Sequence, residues 1–254
     1  MRYLVIGAAG HAQEVAWTLA ERSRVEGRPI ELLFFDDRVP PGPLPSGLGT
    51  VVGPVDDVGA HVVPGTTELV LGVALPRLKT ALTARLAALP LPWTTVVHPS
   101  ASVAPNARLG AGTYVAAGAV LTVNVELGRF ATVNVHAGVA HDAVLDDFAT
   151  VHPHAQLCGH VRVGEGTEIG AGATVIQGVE IGPLAVLGAG CVAVRTLAGG
   201  RTYVGVPARD AHPQLVPGVG AAGRVAAAEV RAALALYGAA GPDLQSLTSP
   251  RRNG

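Results

Sequence analysis

The chain has 254 residues with 33 Gly and 19 Pro, and 49% of it is apolar yet only 4% aromatic; charged residues make up 15% and the formal net charge is −1. That apolar fraction excludes a disordered chain, the near-neutral charge argues against a nucleic-acid footprint, and no apolar run approaches the ~20 residues of a membrane-spanning helix. Two cysteines, Cys158 and Cys191, make neither a disulfide framework nor a four-thiolate zinc site, so the composition reads as a soluble, cytoplasmic, oligomeric protein with an aliphatic core.

In chain order, Tyr3–Ile6 is an apolar run, too short for the core of a signal peptide and better read as a strand. Gly7-Ala8-Ala9-Gly10-His11 follows, then a helical pattern to about Arg24. Ile30–Phe35 reads as a second strand ending in Asp36-Asp37, and a Pro/Gly-rich loop runs from Val39 to Gly49. Val51-Val52 is a short strand, Asp56-Asp57 suits the start of a short helix, Glu68–Val73 is a strand and Pro76–Leu89 a helix. Strands alternating with helices predict a small parallel α/β, Rossmann-like unit over 1–95. Its Gly7–Gly10 turn has the glycines and helix N-terminus of an anion site, although G-x-x-G-H lacks the middle glycine of a dinucleotide fingerprint.

From Val97 the pattern changes. Stepping by six, sixteen consecutive positions from Val97 to Leu187 are Val, Leu or Ile. The position four further on is always small or Val, from Ala101 to Cys191, and Gly often follows the aliphatic residue, as at Gly110, Gly128, Gly164, Gly170, Gly182 and Gly188. A period of six does not fit a helix of 3.6 residues per turn. It fits a parallel β-helix over 96–210, in which three short strands close an 18-residue triangular coil and coils stack ~4.8 Å apart. A narrow aliphatic prism has no room for rings, which accounts for the aromatic poverty. Beyond Arg209, residues 211–254 read as an Ala-rich C-terminal helix, Arg224–Leu236, and a flexible tail.

Five of nine histidines lie between positions 136 and 160. None occupies an inward column. His136 and His154 are 18 residues apart and predicted to stack, as are Asn134 and His152, so the cluster is expected on a small patch of the prism's outside. The stacked pair offers a metal two ligands and no third, so no metal is expected. The single lysine, Lys79, excludes Walker-type phosphate chemistry.

The hexads resemble the left-handed β-helix of bacterial hexapeptide-repeat acyltransferases, with Val204–Arg209 similar to the segment that closes it. Together with G-x-x-G-H and Asp36-Asp37, they resemble the sialic-acid O-acetyltransferase family, which includes enzymes that N-acetylate UDP-4-amino-4,6-dideoxy sugars. The resemblance covers about residues 1–210. It implies an acetyl-CoA-dependent acetyltransferase acting on a nucleotide-activated sugar between subunits of a homotrimer, with neither nucleic acid nor membrane as partner. Gly7, Gly10 and His11 would hold the sugar nucleotide's phosphates, and Asp36 and Asp37 its uridine. His141 would be the general base, a role suited to imidazole at neutral pH. Asp142 or Asp147 would orient it, and Asn134 would contact the acceptor amine or hydroxyl. Gly159 is the candidate oxyanion donor, and Gly170, Ala171 and Ala189 the wall along which pantetheine lies. Family members often carry a second histidine nine residues after the base, where this chain has Thr150, with His152 two further on. A covalent route through Cys158 is the mechanistic alternative. A non-catalytic β-helix scaffold with a nucleotide-sensing α/β unit is the functional one.

Overall fold

The computed structural model describes residues 1–211. The expected C-terminal helix and tail therefore lie outside the described residues. Met1–Asp210 form one compact unit.

The N-terminal part is a five-stranded sheet of order β3-β4-β2-β1-β5, comprising β1 (Arg2–Ile6), β2 (Glu31–Phe35), β3 (Gly42–Pro43), β4 (Thr50–Gly53) and β5 (Thr67–Leu71). β1 runs parallel to both β2 and β5, and β4 parallel to β2; only the short edge strand β3, which lies in the Pro/Gly loop, is antiparallel. Helix α1 (Gly10–Glu26) buries Ala12, Val15, Ala16 and Leu19 and stops at Gly27, whose left-handed φ of 65° lets its N–H reach Ser23 O. Helix α2 (Pro76–Arg85) starts on proline, as suits a first turn with free N–H groups. It ends four residues before the expected Leu89, because tight turns carry the chain from Arg85 towards Pro90. Asp56 and Asp57 sit in the first turn of a 3-10 helix, Val55–His61.

The hexads form three ladders of two-residue parallel strands, each residue paired with the one 18 further on. A first face carries Val96–Val97, Tyr114–Val115, Thr132–Val133, Thr150–Val151, Glu168–Ile169 and Val186–Leu187; a second carries Ser102–Val103 to Val192–Ala193, and a third Arg108–Leu109 to Glu180–Ile181. The aliphatic column fills the prism, with Val115, Val133, Val151, Ile169 and Val175 all at 0% exposure, and the small column lines its corners. At the open end Val97, Ala101, Val103, Ala107 and Leu109 are only partly buried. Thr202–Val204 and Arg209–Asp210 cap the other end of the first ladder.

From 112 to 190 each corner is turned by one residue in the left-handed region, three positions after the aliphatic one. Glycine does this at 112, 118, 166, 172, 178 and 190, Asn124, His136, Asp142, His154 and His160 do it with φ of 55–61°, and Phe130, Phe148 and Leu184 with φ of 57–63°. Asn, Asp and His are the non-glycine residues that accept this conformation best. Gly170 has a different reason to be glycine: a Cβ there would stand 2.7 Å from Ala189 N of the next coil.

The α/β unit docks on the first face. Tyr114 packs with the buried face of α1, and its hydroxyl lies 3.3 Å from Thr18 Oγ1. Phe130 and Phe148 stack 5.2 Å apart on the corner between the third and first faces, and Trp93 meets Phe130 edge-on. These four rings sit outside the prism, gluing the two parts together. Lys79 of α2 is 1% exposed and donates to Phe130 O, Thr132 Oγ1 and Thr150 Oγ1 at 2.7–2.9 Å.

Candidate functional site

His141 lies in the corner between the second and third faces, one residue before its left-handed turn at Asp142. Unlike His136, His154 and His160, it has no backbone reason to be histidine. Its side chain is 47% exposed, and Nδ1 is 2.8 Å from Asp142 Oδ2. That contact fixes Nδ1 against the carboxylate and leaves Nε2 free for chemistry. Asp142 in turn accepts from Asn124 Nδ2 at 2.9 Å, and Asn124 accepts from Asn106 Nδ2 at 2.6 Å, each one coil apart. The hydrogen bonds from His141 and then Asn124, with the nearby His160, hold the Asp142 carboxyl below the usual carboxylate range. One coil on, Gly159 leaves room for the imidazole: a Cβ there would stand 2.6 Å from His141 Nε2. Among the described residues the Gly159 N–H has no backbone acceptor.

The five histidines do not form one patch, contrary to the sequence expectation. His136 and His154 stack 5.3 Å apart on the corner between the first and second faces, where Asn134 and His152 also lie. His141 and His160 sit across the second face, on the next corner, with their rings 5.2 Å apart and at 87°. The split follows from the period, since six residues carry the chain from one corner to the next. Asn134 is 8% exposed and its Oδ1 accepts from Val135 N, so within one chain it does not join His141. Of the two possible orienting acids, Asp142 meets His141, whereas Asp147 binds Arg129 on the third corner.

Gly170, Ala171 and Ala189 also lie on the corner between the first and second faces, away from Gly159 and His141. Thr150 is fully buried; it accepts from Lys79 and donates to Ala74 O, so it serves the junction with the α/β unit. His152 Nε2 lies 3.3 Å from Glu168 Oε2 on the first face. Cys158 is half-buried, whereas Cys191 is buried and its thiol pushed up by desolvation, out of reach of nucleophilic work.

In the α/β unit, β1 is flanked by β2 and β5, so successive crossovers leave its carboxyl end in opposite directions, which is where open parallel sheets bind ligands. Gly7 takes φ +103° there, against Gly72 O. The first turn of α1 has no side-chain cap and no acidic residue, leaving its N–H groups and positive dipole end for an anion. His11, in this turn, packs edge-on to Tyr114 of the β-helix at 5.3 Å. Asp36 accepts from Ala8 N, Arg38 N and Val39 N, tying this turn to the one after β2. Asp37 is held by Arg85, which keeps its carboxyl below the usual range, and by Val55 N. The sequence reading missed Asn124, Arg85 and Lys79; an 18-residue step back from Asp142 would have found the first.

Residues 160–193 match the bacterial transferase hexapeptide (six repeats) family. The acetyltransferase domain of PglB from Neisseria gonorrhoeae FA1090 is 33% identical, over 83% of this chain and 99% of that one, with a TM-score of 0.77; it has also been solved in complex with acetyl coenzyme A. PerB from Caulobacter crescentus, solved in complex with CoA and GDP-perosamine, is 30% identical over 84% of this chain and 98% of that one, with a TM-score of 0.71. WeeI from Acinetobacter baumannii AYE, at 23% identity and a TM-score of 0.73, shares the fold. No curated protein sequence matches.

Proposed function

Because the chain belongs to the hexapeptide-repeat acetyltransferases, enzymes like those that acetylate nucleotide-linked amino sugars, we propose that it moves the acetyl group of acetyl-CoA onto the amine of a nucleotide-activated amino sugar. The observation that carries this reading is the exposed His141 imidazole, oriented by Asp142 and given space by Gly159.

In the proposed reaction His141 takes a proton from the acceptor amine as its nitrogen attacks the thioester carbonyl. The Gly159 N–H donates to the resulting oxyanion. Collapse forms the amide, expels the CoA thiolate and returns the proton to sulfur from the imidazolium. The nucleotide's phosphates rest on the first turn of α1, at Gly7, Gly10 and His11, with Asp36 and Asp37 near the base. The solved relatives named as perosamine enzymes take an amine, and this favours nitrogen over a hydroxyl here. Direct transfer is favoured over a Cys158 relay, because a positioned base already stands beside the open edge.

Asn134 and the proposed CoA wall of Gly170, Ala171 and Ala189 sit one corner away from His141 in the same chain. A neighbouring copy that lays its corner between the first and second faces against the next corner of this one brings them together. That geometry supports a trimer with the site between subunits. None of the described helices is long and apolar enough to cross a membrane.

The test is His141→Ala, assayed for acetylated product with acetyl-CoA and UDP-, GDP- and dTDP-linked amino sugars. Transfer is expected to drop on the order of 10²-fold or more, with acetyl-CoA binding and oligomeric mass retained. Unchanged turnover would rule His141 out as the base.

A further inference from the structure

We propose that the corner formed by His141, Asp142 and His160 is a zinc site through which a divalent transition-metal ion switches acetyl transfer off; the inhibition, though not the binding, rests on His141 being the base.

One ring nitrogen from each histidine and one oxygen of Asp142 lie within 4.8 Å of one another. Asp142 Oδ2 is 2.8 Å from His141 Nδ1 and 3.7 Å from His160 Nε2. Tetrahedral zinc with bonds of 2.0–2.2 Å needs donors about 3.4 Å apart, a spacing these distances bracket. Both imidazoles are exposed and can swing by the difference. The donor set arises from the coil period: Asp142 and His160 are the same left-handed corner one turn apart, and His141 immediately precedes the first.

The carboxylate is already aimed. The Asn124 amide holds Oδ1 and leaves Oδ2 facing both rings, the kind of outer partner that steadies a metal ligand. Two imidazoles and one carboxylate suit zinc, whereas magnesium and calcium prefer all-oxygen sets. The exposed edge leaves a fourth position to water. Bound metal displaces the proton shared by His141 and Asp142 and occupies the imidazole, so the ring cannot accept a proton from the acceptor. Because the rings must bind as neutral ligands, protons compete and zinc affinity falls as pH drops.

The full chain, stripped with EDTA, is titrated with zinc by calorimetry, and transfer is followed by chromatography of the acetylated sugar with zinc or EDTA present. His160→Asn is the key variant, since Asn tolerates the corner's φ of 59° while removing one ligand and leaving His141 in place. Expected are one zinc per wild-type chain and affinity at least 10-fold weaker in His160→Asn. Measured against its own rate in EDTA, the variant resists a zinc concentration that halves wild-type transfer. Absence of wild-type binding, or equal affinity in both His160→Asn and Asp142→Asn, overturns the site. Zinc that binds without slowing transfer overturns the switch. Failure of His141 as the base leaves the calorimetric result untouched, so the two claims fail separately.

Discussion

At the scale of single residues, a histidine in this molecule has two quite different reasons to exist. His136, His154 and His160 turn corners in the left-handed region, a task imidazole shares with Asn and Asp. His141 turns nothing, and its position is explained only by Asp142 and the space over Gly159. Behind Asp142, Asn124 is a positioning residue, reaching the reaction through the carboxylate it holds. Asn124→Gly keeps the corner conformation and removes the amide. Without that amide the Asp142 carboxyl rises towards its usual range, so the acid limb of the kcat–pH profile moves to higher pH. We expect kcat to fall roughly 3- to 10-fold, far less than loss of the orienting acid itself costs, with acetyl-CoA KM unchanged. A lower kcat on an unshifted pH profile would mean that Asn124 serves only the corner.

At the scale of elements, the turn between β1 and α1 joins glycine geometry to an uncapped helix end. Gly7→Ala must place a Cβ at φ +103°, 3.0 Å from Val73 Cγ1 and 3.2 Å from Gly72 O. Such strain destabilises by about 1–2 kcal/mol and tilts the N–H groups that face the phosphates. Steady-state assays should show a raised KM for the nucleotide sugar and an unaltered one for acetyl-CoA; equal rises in both would place the phosphates elsewhere. The elements themselves were legible: the period of six names the sixteen strands from Val96–Val97 to Val186–Leu187, because each rung repeats one steric problem. The grouping of site residues was less so. A linear pattern shows that His136 and His154 stack, but whether Asn134 stands beside His141 depends on which corner each hexad reaches. Spacing by six moves a residue one corner round, and spacing by 18 keeps it in place. Residues that join the two halves, such as Lys79 with Thr132 and Thr150, leave no periodic trace, since their partners lie 53 and 71 positions away.

At the scale of the whole molecule, that junction makes stability depend on pH. Burial pushes the Lys79 ammonium down to about 7 against the opposing pull of Glu168, which itself faces His152. An unfolded lysine titrates near 10.4. Below about pH 7 both states carry the proton, and between there and about 10.4 only the unfolded chain holds it firmly. Stability should therefore rise with pH across that window, by up to about 1.4 kcal/mol per unit from this group. Lys79→Met abolishes that slope and, by stranding the Thr132 hydroxyl and the Phe130 carbonyl, destabilises the chain by roughly 1–3 kcal/mol. Urea unfolding at pH 7 and 9 measures both, and parallel pH dependence in the two proteins would refute the assignment. The same burial has a chemical consequence of another kind. Thioesters acylate exposed amines without any catalyst, and an enzyme that handles acetyl-CoA works in the presence of that reagent. Every other basic side chain in the sequence is arginine or histidine, and the one lysine is sealed behind α2, so no lysine amine stands in the open to be modified by the donor.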